Sequence, residues 1–146
     1  MYTGVKYVSY SKLNTVFMNE SEIRSRLDNH IGCNQWYKHN IFKSFKYTEG
    51  VLDMAEMCKA HWMISDIIVI GAMKLKEEEF VSVEIHREIG YPGILIKYTD
   101  GNENDLFEQT YSKTDFPLFN TIEEGISKPA LTLFMTDRTL LLTAEY

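Results

Sequence analysis

The chain has 146 residues, of which 45% are hydrophobic and 25% charged, and its formal net charge is −6. This length suits one globular domain with a buried core, and the composition excludes a disordered or collagen-like chain. No apolar run is long enough to span a membrane. Because two cysteines are too few for a disulfide scaffold, we expect a cytoplasmic protein with reduced thiols.

The charge is divided unevenly along the chain. Residues 1–50 carry seven Lys and Arg against four Asp and Glu, whereas residues 51–146 carry eight against seventeen. An acidic surface repels a phosphate backbone, so direct binding to nucleic acid is disfavoured. A basic surface on a protein partner is favoured instead, although acidity in many domains only confers solubility.

The N-terminal third predicts one short helix between less regular segments. Residues 1–17 mix aromatic and polar side chains without a period, which is typical of an extended arm or an edge strand. A helix is predicted after Asn19, because Asn19 and Glu22 have the spacing of a capping box and Gly32 suits its end. The aromatic and basic segment 33–46 is interpreted as an irregular link.

A long helix is predicted from Thr48 to about Met73. Apolar residues follow the helical spacing of three and four, and Thr48 is a reasonable N-cap. The second half carries little charge, so protein must surround it. We expect Trp62 to be buried against the sheet.

The period then changes to two, which predicts five strands. They fall around Val81–Ile85, Ile94–Tyr98, Phe107–Tyr111, Leu131–Met135 and Leu140–Leu142. The expected fold is α+β, with one short and one long helix on one face of an antiparallel sheet of about five strands, in a single domain over residues 1–146.

Several blocks resemble a known family. They are Trp36-Tyr37-Lys38-His39, Tyr47-Thr48-Glu49-Gly50-Val51, Ala60 to Asp66, Thr114-Asp115-Phe116-Pro117-Leu118 and the terminal Glu145-Tyr146. The chain is similar to small domains of unknown function from bacteria, phages and mobile elements. The resemblance implies ancestry and setting rather than a mechanism. By this comparison residues 1–17 are an N-terminal extension and residues 119–130 a loop insertion.

No arrangement of residues indicates a strong catalytic or metal site. The pairs His30 with Cys33 and Cys58 with His61 have zinc-ligand spacing, but apolar packing of the cysteines is favoured, and no metal or cofactor is expected. A Cys–His nucleophile lacks a recognisable motif. The acidic turn at Asp100 departs from a calcium loop at the required Gly and Glu positions.

Two sets of residues remain candidates for binding. The first set is a candidate ligand-binding or aromatic patch made of Trp36, Tyr37, His39, Asp66 and Asp115. The alternative for this set is a structural role, in which the aromatic side chains cover the helix and the aspartates are buried and hydrogen-bonded. The second set would contact a protein partner and consists of Glu77, Glu78, Glu79, Glu123 and Glu124. The alternative for this set is an acidic surface that only faces solvent.

The leading hypothesis is a non-enzymatic binding protein of phage or mobile-element origin. It would occupy a host protein or ribonucleoprotein complex, such as a CRISPR effector, without touching nucleic acid or membrane. One alternative is a small enzyme or ligand-binding domain with a pocket beside the long helix. Another is a homodimeric structural module whose interface is the apolar helix end.

Overall fold

The computed structural model describes residues 18–32 and 35–146. The predicted arm over residues 1–17 and Cys33 lie outside the described residues. The helices are α1 (Glu20–Asp28), α2 (Glu49–Cys58) and α3 (His61–Lys74), with a 3₁₀ turn at Thr143–Glu145. The strands are β1 (Trp36–Lys38), β2 (Lys46–Thr48), β3 (Phe80–His86), β4 (Ile94–Thr99), β5 (Asp105–Tyr111), β6 (Thr121–Glu123), β7 (Ile126–Lys128), β8 (Leu131–Thr136) and β9 (Thr139–Leu142).

Seven of these strands form one sheet in the order β1-β2-β9-β8-β3-β4-β5. Among the pairings of these described strands, that of β2 with β9 alone is parallel. Strands β6 and β7 form a separate hairpin. The α+β class is confirmed, but the expected count of about five strands was wrong. Strands β1, β2, β6 and β7 have three residues each, too few to show an alternating pattern.

One face of the sheet forms the core. Val81, Val83 and Ile85 of β3 are almost wholly buried, in one cluster with apolar residues of all three helices. Alternate residues of the neighbouring strands join the same cluster, among them Ile96 and Leu133. The residues between them point to the opposite side, which we call the open face. Among the described residues, no helix has the length and apolar character needed to cross a bilayer.

The predicted long helix is two helices. Lys59 adopts the left-handed conformation with φ 54°, and the Ala60 N–H bonds to the Ala55 carbonyl at 2.8 Å, which ends α2. Helix α3 begins at His61 without a side-chain cap. The apolar period continues across the break and neither Gly nor Pro marks it, so the sequence pattern did not reveal it. Trp62 is only half-buried and meets the ring of Tyr111 edge-on at 5.2 Å.

The short helix forms as predicted. The Glu22 N–H donates to the Asn19 side chain at 2.9 Å, and the Asn19 N–H donates to the Glu22 carboxylate at 3.0 Å. Ile23 and Leu27 are buried on one side of α1. The capping box therefore fixes where α1 starts, and the apolar pair fixes which side faces the core.

The C-terminal turn is tied to the start of α2. The Glu145 carboxylate accepts hydrogen bonds from the Thr48 hydroxyl at 2.6 Å and from the Gly50 N–H at 3.1 Å. It also accepts from the N–H of Leu142 at 2.9 Å. A negative charge at a helix N-terminus is favourable, because the first N–H groups have no partner within the helix.

Candidate functional site

An open cleft of about 690 Å³ lies at one corner of the sheet. It is formed where β3 and β5 end and β4 begins, together with the loop between β3 and β4 and the β6–β7 hairpin. Its wall is largely apolar, with a few hydroxyl and amide groups. The lining includes His86, Tyr91, Pro92, Leu95, Thr110 and Ser127. Concave apolar surfaces with a few polar groups are typical of binding sites.

The β6–β7 hairpin is held firmly over this corner. Asn120 accepts from the Arg87 N–H through its side chain and donates its own N–H to the Arg87 carbonyl, both at 2.8 Å. After the hairpin, the Ala130 N–H bonds to the Ile85 carbonyl at 2.7 Å. Glu124 and Gly125 form its two-residue turn with φ of 53° and 79°, the signs of a type I′ turn. The segment predicted as a loop insertion therefore contains an ordered hairpin.

Exposed apolar side chains flank the cleft on two sides. The β3–β4 loop presents Ile89 and Tyr91, which are 82% and 65% exposed. The hairpin presents Ile122, which is 75% exposed and shares one face of the hairpin with the cleft residue Ser127. Single exposed apolar residues are common, but a group around one concavity indicates a surface that can be covered by a partner.

A carboxylate–imidazole pair lies on the open face beside the cleft. The Nε2 atom of His86 is 3.0 Å from Oε1 of Glu84, and both side chains are about 30% exposed or less. A carboxylate that holds one ring nitrogen fixes the orientation of the imidazole. The sequence analysis missed this pair, although the spacing of two on a predicted strand places both side chains on one face.

Asp66 has the partner that its apolar helix requires. The Tyr111 hydroxyl donates to Oδ2 of Asp66 at 2.5 Å, which links α3 to β5. Burial, and then this hydrogen bond, raise the pKa of Tyr111 above its ordinary value, so the phenol keeps its proton. This hydrogen bond gives the Asp66 carboxylate a partner within the fold. Asp115 is exposed, and neither aspartate lines the cleft.

The aromatic patch of the sequence analysis is spread over different environments. Trp36 is exposed on β1 with the Lys46 ammonium 5.6 Å from its ring centre, and Tyr37 stacks on Tyr47. His39 is buried: its Nδ1 accepts from the N–H groups of residues 41 and 42, and its Nε2 lies 3.4 Å from the Ser65 hydroxyl. His39 therefore holds the turn at residues 41 and 42 through Nδ1 and contacts α3 through Nε2.

The two acidic clusters lie far apart on the chain's surface. Glu123 and Glu124 are exposed at the tip of the hairpin, at the side of the cleft. Residues 77–79 are exposed before β3, whose far end carries His86. The seven residues of β3 therefore separate the end near residues 77–79 from the end at the cleft by about 20 Å, at roughly 3.3 Å per residue.

The cysteine and histidine candidates are not brought together as ligands. Cys58 is buried, and desolvation raises the pKa of its thiol to about 12. His61 is exposed on the next helix, and His30 bonds to Asp53 at 3.0 Å. Within residues 18–32 and 35–146, no group of three or more His, Cys, Asp or Glu side chains could hold a metal ion.

Comparison with known proteins identifies the family. A family model described as a family of unknown function (DUF6876) matches residues 21–146, and the chain belongs to this family. The match begins after the predicted extension and includes the hairpin. No curated protein and no solved structure matches the chain.

Proposed function

We propose that this chain is a binding protein that acts by occupying a protein partner on the open face of its sheet. The observation that carries the proposal is the cleft with exposed apolar side chains on both sides, Ile89 and Tyr91 on one and Ile122 on the other. A few residues carry most of the binding energy of a protein interface, and aromatic side chains such as tyrosine are enriched among them.

Charge complements this apolar surface. The hairpin carries Glu123 and Glu124 at its tip, and Glu88 lies in the wall of the cleft. A partner with basic side chains around an apolar anchor would match both features. The finer form of the proposal is a host nucleoprotein complex, such as a CRISPR effector, occupied by a protein of phage or mobile-element origin. It draws its support from acidic charge and from the resemblance to mobile-element domains.

A small-molecule site in the same cleft is the second candidate. It draws on the Glu84–His86 pair, which could orient one imidazole nitrogen toward a bound ligand. Homodimerisation is a third reading, for which Met73, exposed near the end of α3, supplies apolar surface.

The test is affinity capture from a lysate of the host cell with four matched baits. They are the wild type, Tyr91→Ser, Ile122→Ser and Ile41→Ser; the last alters a 76% exposed isoleucine between β1 and β2 that does not line the cleft. We expect the wild type and Ile41→Ser to retain one stoichiometric protein that both cleft variants lose. Equal capture by all four baits would contradict the proposal.

The same preparations separate the other readings. Native mass spectrometry that detects a bound metabolite and no protein partner would favour the small-molecule site. Sedimentation of the wild type alone as a dimer, abolished by Met73→Ser, would favour the homodimer. Melting temperatures of the variants should stay near that of the wild type, because substitutions of exposed surface residues usually change stability by no more than about 0.5 kcal/mol.

A further inference from the structure

A polar groove of about 280 Å³ lies in the middle of the open face, next to the cleft. Its floor is made by Ser82 and Thr99, which lie opposite each other on β3 and β4. The rest of the lining comes from the two strands and from the β4–β5 turn: Glu84, Lys97, Gly101, Glu103 and Asp105.

The groove exists because two short side chains lie between longer ones. Ser82 faces Thr99 on one side and Phe134 of β8 on the other. Phe80 and Phe134 pack with ring centres 5.0 Å apart next to the groove, and Phe134 is the cross-strand neighbour of Ser82. Glu84 and Lys97, the next cross-strand pair on this face, line the groove on the side away from the two rings. The depression is therefore set by the sheet register.

The floor has hydrogen-bonding capacity that the chain does not use. Ser82 is only 8% exposed, and its hydroxyl has no hydrogen bond within residues 18–32 and 35–146. Thr99 is 7% exposed; its hydroxyl accepts from the Gly101 N–H at 3.3 Å, and its own proton has no acceptor in the described part of the chain. The hydroxyl groups of this largely buried floor therefore face the open groove with hydrogen-bonding capacity that a ligand can use.

The charges around this floor select a cation. Three carboxylates, those of Glu84, Glu103 and Asp105, line the groove against one ammonium, that of Lys97. Lys97 lies 3.4 Å from Asp105, and Glu84 uses Oε1 for His86, which leaves its second oxygen available. Carboxylates and hydroxyls spread along a groove suit a cation that carries several N–H donors.

We propose that the groove binds the guanidinium group of an arginine side chain from the protein partner. A guanidinium presents five N–H donors in a planar fork, which suits the carboxylate of Glu84 together with the hydroxyl of Ser82. The apolar stem of the arginine would lie toward the neighbouring pair of rings, Phe80 and Phe134. That the guanidinium group belongs to an arginine of the protein partner rests on the proposed function. The binding of a guanidinium group by the groove does not depend on it.

The test uses a small arginine probe and its neutral isostere. N-acetyl-arginine amide and N-acetyl-citrulline amide are titrated into the intact protein, and the backbone amide signals are followed by ¹⁵N NMR. We expect saturable shifts at Ser82, Thr99 and Gly101 with the arginine probe and at least tenfold weaker binding of the citrulline probe. Ser82→Ala and Glu84→Gln should each weaken arginine binding several-fold.

Two controls distinguish the groove from the cleft. Ser127→Ala removes a hydroxyl from the cleft wall, and Tyr91→Ser removes its aromatic rim; both should bind the arginine probe as the wild type does. Equal binding of the two probes, no saturable shift at millimolar concentration, or undiminished binding by Ser82→Ala would overturn the guanidinium site. If the arginine probe binds but Ser82→Ala captures the partner as tightly as the wild type, the assignment to a partner's side chain is wrong.

Discussion

Gly50 and Glu145 are fitted to each other at the scale of single residues. A Cβ atom at position 50 would lie 2.6 Å from the Glu145 carboxylate, so only glycine leaves room for the three hydrogen bonds that this carboxylate accepts. Elsewhere in a helix, glycine costs up to about 1 kcal/mol relative to alanine. The contact with Glu145 therefore reverses the usual preference at this position.

A double-mutant cycle tests this fit. Glu145→Ala should destabilise the protein by on the order of 2–4 kcal/mol, because it leaves a buried hydroxyl and two N–H groups without their acceptor. Gly50→Ala should also destabilise the wild type, but in the Glu145→Ala background it should be neutral or stabilising. Urea unfolding of the four proteins measures the coupling; additive effects would contradict the proposed contact.

Cys58 should behave as an inert apolar side chain. Its thiol is buried and its pKa is about 12, against 9.0 for an ordinary cysteine, so almost no thiolate exists at pH 8. We expect iodoacetamide to modify Cys58 slowly in the native protein and rapidly in denaturant, as located by peptide mass spectrometry. Rapid native modification at Cys58 would revive the nucleophile hypothesis.

At the scale of elements, the β6–β7 and β8–β9 hairpins both have left-handed residues at their turns. In the turn between β8 and β9, Asp137 and Arg138 have φ of 51° and 56°. This type I′ turn favours glycine at its second position, because an L-residue there costs roughly 1–2 kcal/mol. Its sequence carries no glycine, yet the pairing of Thr139 with Thr136 fixes the register.

Arg138→Gly should therefore stabilise the protein by roughly 1 kcal/mol. Arg138→Ala is the matched control, since it removes the same side chain, including its 6.0 Å approach to Phe45, without relieving the backbone. Chemical denaturation should place the Gly variant above the Ala variant. If the two variants have equal stability, the turn conformation described here is wrong.

The elements that the sequence predicted are those with enough residues to show a period. Strands β3 and β8 alternate over six or seven residues, and α1 has both a capping box and an apolar pair. The break at Lys59 escaped prediction because left-handed lysine has no distinctive signal, and the three-residue strands are recruited by neighbours rather than by their own pattern. Tertiary contacts thus decided what local preference left open.

At the scale of the whole molecule, the candidate site brings together segments that the sequence separates. The cleft takes residues from β3 to β7, and the groove takes Ser82 and Thr99 from two strands whose pairing had to be known first. Glu123 and Glu124 could be named as candidates from the sequence, because a cluster of charged residues is evident in it. Which acidic cluster lies beside a concave surface depends on the fold.

This placement predicts which cluster controls association. Glu123→Lys with Glu124→Lys should slow binding of the captured partner, because charges at the rim of an interface mainly change the on-rate. The fold should persist, since both residues are exposed on a hairpin. Glu77→Lys with Glu78→Lys makes the same change in net charge about 20 Å from the cleft, beyond the Debye length of about 8 Å at physiological salt.

Stopped-flow or surface-based kinetics at two salt concentrations would measure both variants against the captured partner. The hairpin variant should lose roughly tenfold in on-rate at low salt, and the deficit should shrink as salt rises, because screening shortens the reach of the field. The control variant should lose far less. Equal losses would mean that only the total charge of the chain matters, and unchanged rates in both would remove the electrostatic argument and leave the apolar rim of the cleft as the basis of binding.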